Sequence, residues 1–299
     1  MTAQPRRVDV IGVPFNSSGT TDGVARAPAA LRRGGLVEGL RDAGLDAVDS
    51  GDIELGPTRP QRDPTTHLIA PTALASMIHA VSARVAASIR SGAFPLAIGG
   101  DCPVLLGCLG ATGDEVAIGL LFVDGHEDAW PPELSTTGEA ADMELGFALG
   151  LTVAGLPDDL QKEIPHVSAD AIVVLGPRDE RELAEAGVPS IADVVRVVRP
   201  DQLAARPEEV ASAAVASFGL RPGWWLHVDL DVLSTESLDA VDYRQPGGVD
   251  WDVLTQLTRT ALALPGAIGW DVTIFNPGLD PDGTRARRIV RYLADVLLR

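Results

Sequence analysis

The run LLFVDGHEDAW, residues 120–130, joins four apolar residues to a polar cluster without a break. A short, unbroken apolar run suits a strand buried on both faces, as in a parallel sheet covered by helices above and below. Just beyond it, Asp124, His126 and Asp128 stand at alternate positions. Side chains two apart in extended backbone point the same way, so two carboxylates and an imidazole converge on one point. That is a metal-ligand arrangement.

Outward from this run, short β-like segments alternate with longer helix-like ones along the whole chain. Strands are predicted at 8–13, 45–48, 94–98, 117–123, 171–175, 224–228 and 267–272. Helices are predicted at 27–43, 72–91, 103–111, 139–151, 180–186, 207–218, 253–263 and 283–298. The alternation implies an α/β fold, a single-domain three-layer α/β/α architecture around a mostly parallel, doubly wound sheet. One domain is expected over residues 1–299; the Pro-rich, charged stretch 51–63 reads as a surface loop rather than a linker, since regular α/β units flank it. In such sheets the ligand site lies beyond the carboxyl ends of the strands, where the polar clusters sit.

Composition narrows the function classes. Hydrophobic residues are 45% and charged residues 22%, and no apolar run reaches the ~18 residues of a membrane span, so a soluble protein without a membrane partner is expected. The N-terminus, MTAQPRRVDV, lacks the apolar segment of a secretory signal, which points to the cytoplasm. There Cys102 and Cys108 are expected to remain thiols. With 42 acidic against 24 basic residues the net charge is −18, which repels a phosphate backbone and argues against nucleic acid as a partner.

Two further clusters repeat the strand-end device. WWLHVDLDVL, residues 224–233, ends a strand with Asp229 and Asp231, two same-facing carboxylates that repel each other unless a cation neutralises them. LAIGGDCPVLLG, residues 96–107, ends a strand with two glycines that allow close backbone approach, then Asp101 and Cys102. Each D-x-D or D-x-H alone is a common turn or cap, but five acidic or imidazole groups at two strand ends are not. Cys102 reads either as a small buried hydrophobe or as a ligand. His227, within the strand leading to Asp229, reads as a residue behind the ligands or a satisfied core histidine before a ligand.

Taken together, these segments resemble the arginase–agmatinase–deacetylase-like ureohydrolase superfamily over nearly the whole chain. IGVPFNSSGTTDGVARAPAALR (11–32) is similar to its N-terminal glycine-rich segment. GGDC stands where the family has G-G-D-H, DGHED where it has D-A-H-x-D, DLD where it has D-x-D, and WDVTIFNP (270–277) resembles its last strand. The resemblance implies that Asp124 and Asp229 bridge two divalent metals, usually manganese. His126 and Asp231 complete one shell, Asp128 and Cys102 the other, and a metal-bridging hydroxide attacks the substrate. A thiolate in the shell favours zinc or iron. Homo-oligomers, trimers or hexamers, are implied as well.

The chain departs from that family around the substrate. TGEAAD (137–142) replaces S-G-N-x-H-G, so Ala141 stands where a proton-shuttling histidine is expected, leaving Glu139 or Asp142 for that step or as ordinary first-turn acids. Ile274 stands where a glutamate would pair with a guanidinium. Trp130 replaces an asparagine, Thr137 keeps a hydroxyl, and Arg181 falls where an acid would meet the substrate's amino group. The function implied is hydrolysis of a linear, non-peptide C–N bond in a small guanidino or amidino substrate other than L-arginine, such as an N-hydroxy compound. The alternative is a catalytically silent, metal-binding homologue.

Overall fold

The computed structural model describes residues 7–113 and 115–298. Ten strands occur among them: β1 (Arg7–Val13), β2 (Asp46–Asp52), β3 (Phe94–Gly99), β4 (Glu115–Val116), β5 (Gly119–Val123), β6 (His166–Val167), β7 (Ile172–Leu175), β8 (Arg196–Val198), β9 (Trp224–Asp229) and β10 (Ala267–Thr273). The α-helices are α1 (Ala27–Arg33), α2 (Leu36–Asp42), α3 (Pro71–Arg90), α4 (Val104–Gly110), α5 (Glu144–Ala148), α6 (Asp158–Glu163), α7 (Glu180–Ala186), α8 (Pro200–Ala205), α9 (Pro207–Ser217), α10 (Trp251–Ala263) and α11 (Thr284–Leu297). Eight strands form one sheet in the order β2-β1-β3-β10-β9-β5-β7-β8, and every pairing in it is parallel.

The strands bury both faces, and their side chains alternate between two cores as the period of two requires. Leu121, Val123, Leu226, Val228, Trp270 and Val272 join one core with α2, α10 and α11; Leu120, Phe122 and Trp225 join the other with α3 and α4. The result is the expected three-layer α/β/α fold. Helix α11 shows how the sequence makes a layer: Ile289, Leu293, Val296 and Leu297 form a buried stripe at helical spacing. Helix α3 is 20 residues long with a mean hydropathy of 1.3, apolar enough by composition to cross a membrane. Here Leu74, Met77, Ile78, Val81 and Val85 pack it into the second core.

Some elements differ from the sequence expectation for local reasons. The helix expected at 27–43 is two, because Gly35 adopts a left-handed conformation (φ 88°) between α1 and α2. The helix expected at 139–151 is a 3₁₀ turn at Ala140–Asp142 followed by the short α5. Met143 leaves helical geometry, and the N–H groups of Leu145 and Gly146 both donate to the carbonyl of Asp128. The strand expected at 117–123 begins at Gly119, and β4, just before it, pairs with β6 apart from the main sheet. Strands β6 and β8 and helices α6 and α8 are too short for their periodicity to show.

Strands β3, β10, β9 and β5 are neighbours in the centre of the sheet. Ile98, Val272, Val228 and Val123 lie in one transverse row, so the residues that follow them leave the sheet side by side. The double glycine lets β3 end against its surroundings. A Cβ on Gly100 would lie 2.0 Å from the Phe15 carbonyl oxygen and 3.1 Å from that of Val24. Gly100→Ala is therefore expected to cost about 1–3 kcal/mol in urea unfolding, whereas Gly110→Ala, whose Cβ would meet only Ser82, costs less than about 1 kcal/mol. Equal costs at the two positions would contradict this packing.

Candidate metal centre

The acids at the ends of β5 and β9, with the cysteine that follows β3, converge in a crevice from which water is largely excluded. Asp124 is fully buried, Asp229 and Asp231 are 1% and 2% exposed, and Asp128 and Cys102 are 5% and 3% exposed. Backbone geometry aims them. The N–H of His126 donates to Asp124 Oδ1 at 2.7 Å, that of Gly125 to Asp231 Oδ1 at 3.0 Å, and that of Asp231 to Asp229 Oδ1 at 2.7 Å. Asp128 holds a positive φ of 43°, unusual for a residue with a side chain, which turns the chain sharply after the strand end. Ile274, at φ 70°, carries similar strain, and its N–H donates to the Gly100 carbonyl at 2.7 Å.

Two groups of potential ligand atoms emerge. Cys102, Asp124, Asp128 and Glu144 each offer one atom within 4.8 Å of the others, and Asp124, His126 and Asp231 do the same. Asp124 belongs to both. Asp229 lies against the first, accepting a hydrogen bond from Cys102 Sγ at 2.5 Å, while His126 Nδ1 lies 2.9 Å from Asp231 Oδ2. All six residues expected as ligands are thus together. Glu144 joins them without having been expected; the only signal was a single acid inside the apolar run MELGFAL.

The electrostatics of this crevice call for a cation. Burial, together with Asp124 and Glu144, raises the Asp128 carboxyl well above its ordinary range, and burial with Asp231 and Asp124 does the same to Asp229. Burial and the charge of Asp229 likewise push the Cys102 thiol up, so that it is an S–H donor to Asp229. For Asp124, burial works upward, but His126 and His227 outweigh it and hold the carboxyl low. Its Oδ2 has no hydrogen-bond partner, and neither has either oxygen of Glu144. Orphaned, buried acceptors around a shared carboxylate fit a metal site.

Behind the ligands stands His227. Its Nδ1 lies 2.6 Å from Asp271 Oδ2, its Nε2 faces Asp124 Oδ2 at 3.7 Å, and its ring stacks on Phe122. Asp271 also accepts from Trp225 Nε1 at 2.6 Å. Burial disfavours the imidazolium, yet Asp271 and Asp124 overcome it and raise His227 well above its usual range. It lies behind the shared carboxylate without a hydrogen bond to it.

The centre opens into a cavity of about 310 Å³. Trp130, Thr137, Asp142 and Ile274 line it, as does Ala141, which puts a methyl group where the family's histidine was expected, while His126 supplies an imidazole to the lining. Asp142 accepts from Ser135 Oγ at 2.8 Å and Thr137 Oγ1 at 2.6 Å, while burial raises its carboxyl. Glu139 is outside this lining and instead accepts from the Tyr243 hydroxyl at 2.5 Å. Arg181 is exposed and paired with Glu185 at 2.7 Å. The next residue, Glu182, faces the cavity instead, beside Asp179, Tyr243 and Arg244. Sequence alignment put the wrong residue of α7 at the rim because the helix, not the extended spacing of a motif, sets which side chain turns inward.

The Arginase family model matches residues 6–298. Human arginase-1 is 29% identical over 182 residues, 60% of this chain, and the match spans only 56% of that protein. The arginase of Bacillus caldovelox is 28% identical over 258 residues, 84% of this chain and 82% of that protein. Among solved structures, arginase from Bacillus cereus aligns with a TM-score of 0.83 at 25% identity, over 98% of this chain and 99% of the other. Since the family match runs through every strand and helix described above, the chain belongs to the arginase family.

Proposed function

We propose that this chain is a metal-dependent hydrolase of a linear, non-peptide C–N bond in a guanidino or amidino group, and that its substrate is not L-arginine. The observation that carries this is the pair of ligand-atom groups that share the fully buried Asp124, and of which Cys102, His126, Asp128 and Asp231 line the cavity. Cys102, Asp124, Asp128 and Asp229 would hold one divalent cation, and Asp124, His126, Asp229 and Asp231 the other. Such a pair, when bound, supplies a water acidic enough to attack near neutral pH. Manganese suits the oxygen-rich half; zinc or iron suits the half with the thiolate.

The remaining steps fall to side chains. Asp128, in the cavity lining, receives the proton of the attacking water. Asp142, fixed by Ser135 and Thr137, carries a proton to the leaving nitrogen in place of the absent histidine. Glu139 positions Tyr243 at the rim. Ile274 offers hydrocarbon where a guanidinium needs a bidentate acceptor, which disfavours arginine and favours a neutral or N-modified group such as an N-hydroxyguanidine. Trp130 gives that group an aromatic face and Thr137 a hydroxyl. At the rim, Asp179 and Glu182 opposite in sign to Arg244 suit a substrate tail carrying both charges. The working unit proposed is one domain, residues 1–299, in a cytoplasmic homo-oligomer acting on a small molecule.

Ala141 and Ile274 favour a second reading, a metal-binding homologue without turnover. A library of guanidines, N-hydroxyguanidines and amidines separates the two. Turnover of at least one member, abolished by Asp124→Asn, is expected; a metal-loaded protein inert to the whole library would establish the silent homologue.

Asp179 supplies a test of the rim. Burial raises its carboxyl to about 6, with one oxygen accepting from the Glu127 N–H and the other unpartnered. The folded state therefore holds a proton that the unfolded chain has released, so this group costs stability as pH rises from about 4 to 6. In chelator-treated protein, Asp179→Asn is expected to be neutral below about pH 4 and stabilising by on the order of 2–3 kcal/mol above pH 6. A pH-independent difference in urea unfolding would contradict it.

A further inference from the structure

We infer that Glu144 is itself a cation ligand, joining Cys102, Asp124, Asp128 and Asp229 in the cysteine-bearing half of the centre. This rests on the two-cation reading above and assigns that half a member which the motifs do not contain. Glu144 has no exposed surface, neither of its carboxylate oxygens has a hydrogen-bond partner, and it makes no ion pair among the described residues. A carboxylate buried without a partner costs several kcal/mol to ionise, so the charged form of Glu144 requires a counter-charge beside it. His227, the imidazole that acts on Glu144, is already shared between Asp271 and Asp124, and His126 is paired with Asp231.

The geometry supplies what the electrostatics demand. One oxygen of Glu144 lies within 4.8 Å of Cys102 Sγ and of carboxylate oxygens of Asp124 and Asp128, a span set by donors ~2.0–2.3 Å from a common ion. The placement is built into the backbone. Glu144 opens α5, and the next two N–H groups, of Leu145 and Gly146, each donate at 3.0 Å to the Asp128 carbonyl. The turn bearing Glu144 is thereby clamped to the turn bearing Asp128, and the two carboxylates arrive together. The halves are then chemically unequal: one has a thiolate and no imidazole, the other an imidazole and no sulfur. Unequal halves bind in sequence and select different metals, zinc on the cysteine side and manganese beside His126.

Calorimetric titration of chelator-treated protein with Zn²⁺ and with Mn²⁺, with elemental analysis after gel filtration, tests this on wild type, Glu144→Gln, Glu144→Asp and Asp231→Asn. Wild type is expected to hold two cations. Glu144→Gln should weaken the cysteine-side Zn²⁺ at least about tenfold, and Glu144→Asp should fall between it and wild type. In cobalt-loaded Glu144→Gln the thiolate-to-cobalt absorption should diminish, while Asp231→Asn loses the other cation and keeps that absorption. The metal-free Glu144→Gln protein should melt no lower than metal-free wild type, because an amide of the same shape replaces a buried acid whose oxygens have no hydrogen-bond donor. Both cations bound by Glu144→Gln at wild-type affinity would overturn the assignment, as would a metal-free variant that melts lower with affinity unchanged. Absence of any cation from wild type would instead defeat the two-cation reading itself, and this assignment with it.

Discussion

Carboxylates packed within a few ångströms of one another, away from water, cannot all stay charged unless something positive lies between them. Asp124, Asp128, Glu144, Asp229 and Asp231 are gathered in that way at the centre of this molecule, with Cys102 and His126 at their edge. Much of the surrounding architecture serves to bring these groups together and keep them there. Four adjacent parallel strands end at one level, the double glycine lets β3 close against the first loop, and Asp128 and Ile274 accept left-handed backbone to turn their chains into the crevice. Strain of this kind persists where neighbouring contacts over-determine it.

The supports behind the ligands are as specific as the ligands. Asp271 holds Trp225 and His227, and His227 faces Asp124; Arg178 Nη2 donates at 2.7 Å to the Asp231 carbonyl. Glu127, between His126 and Asp128 in sequence, points away from them and accepts from Ser190 Oγ and the Ile191 N–H, which ties the β5 loop to the segment before β8. Consecutive acids in one short motif thus do opposite work, one set facing the crevice and one anchoring the loop that carries it. The period of two ends with β5, and the bend at Gly125 and His126 with the left-handed backbone of Asp128 then separates them.

That same periodicity made much of the fold and centre legible in the sequence. Apolar runs buried on both faces announced the parallel sheet, and alternate acids at their ends announced Asp124, His126, Asp128, Asp229 and Asp231. Cys102 was legible through its place in GGDC. Glu144 was not, because the stretch around it reads as one continuous helix, and nothing in the sequence shows that Met143 breaks the turn and that Asp128 takes the next two N–H groups. Glu182 was missed for a related reason: helical geometry in the first turn of α7 sends Arg181 to solvent and its neighbour inward. Local pattern locates side chains within an element; which face of a short helix meets a cavity is decided by packing that only the whole fold contains.

The central claim is that this buried acidic cluster is a cation site. Elemental analysis of protein purified in metal-supplemented buffer, paired with melting before and after a strong chelator, tests it most directly. Close to two divalent cations per chain, whose removal lowers the melting temperature, is the predicted result. A chain that carries none, and melts identically with and without chelator, would contradict it.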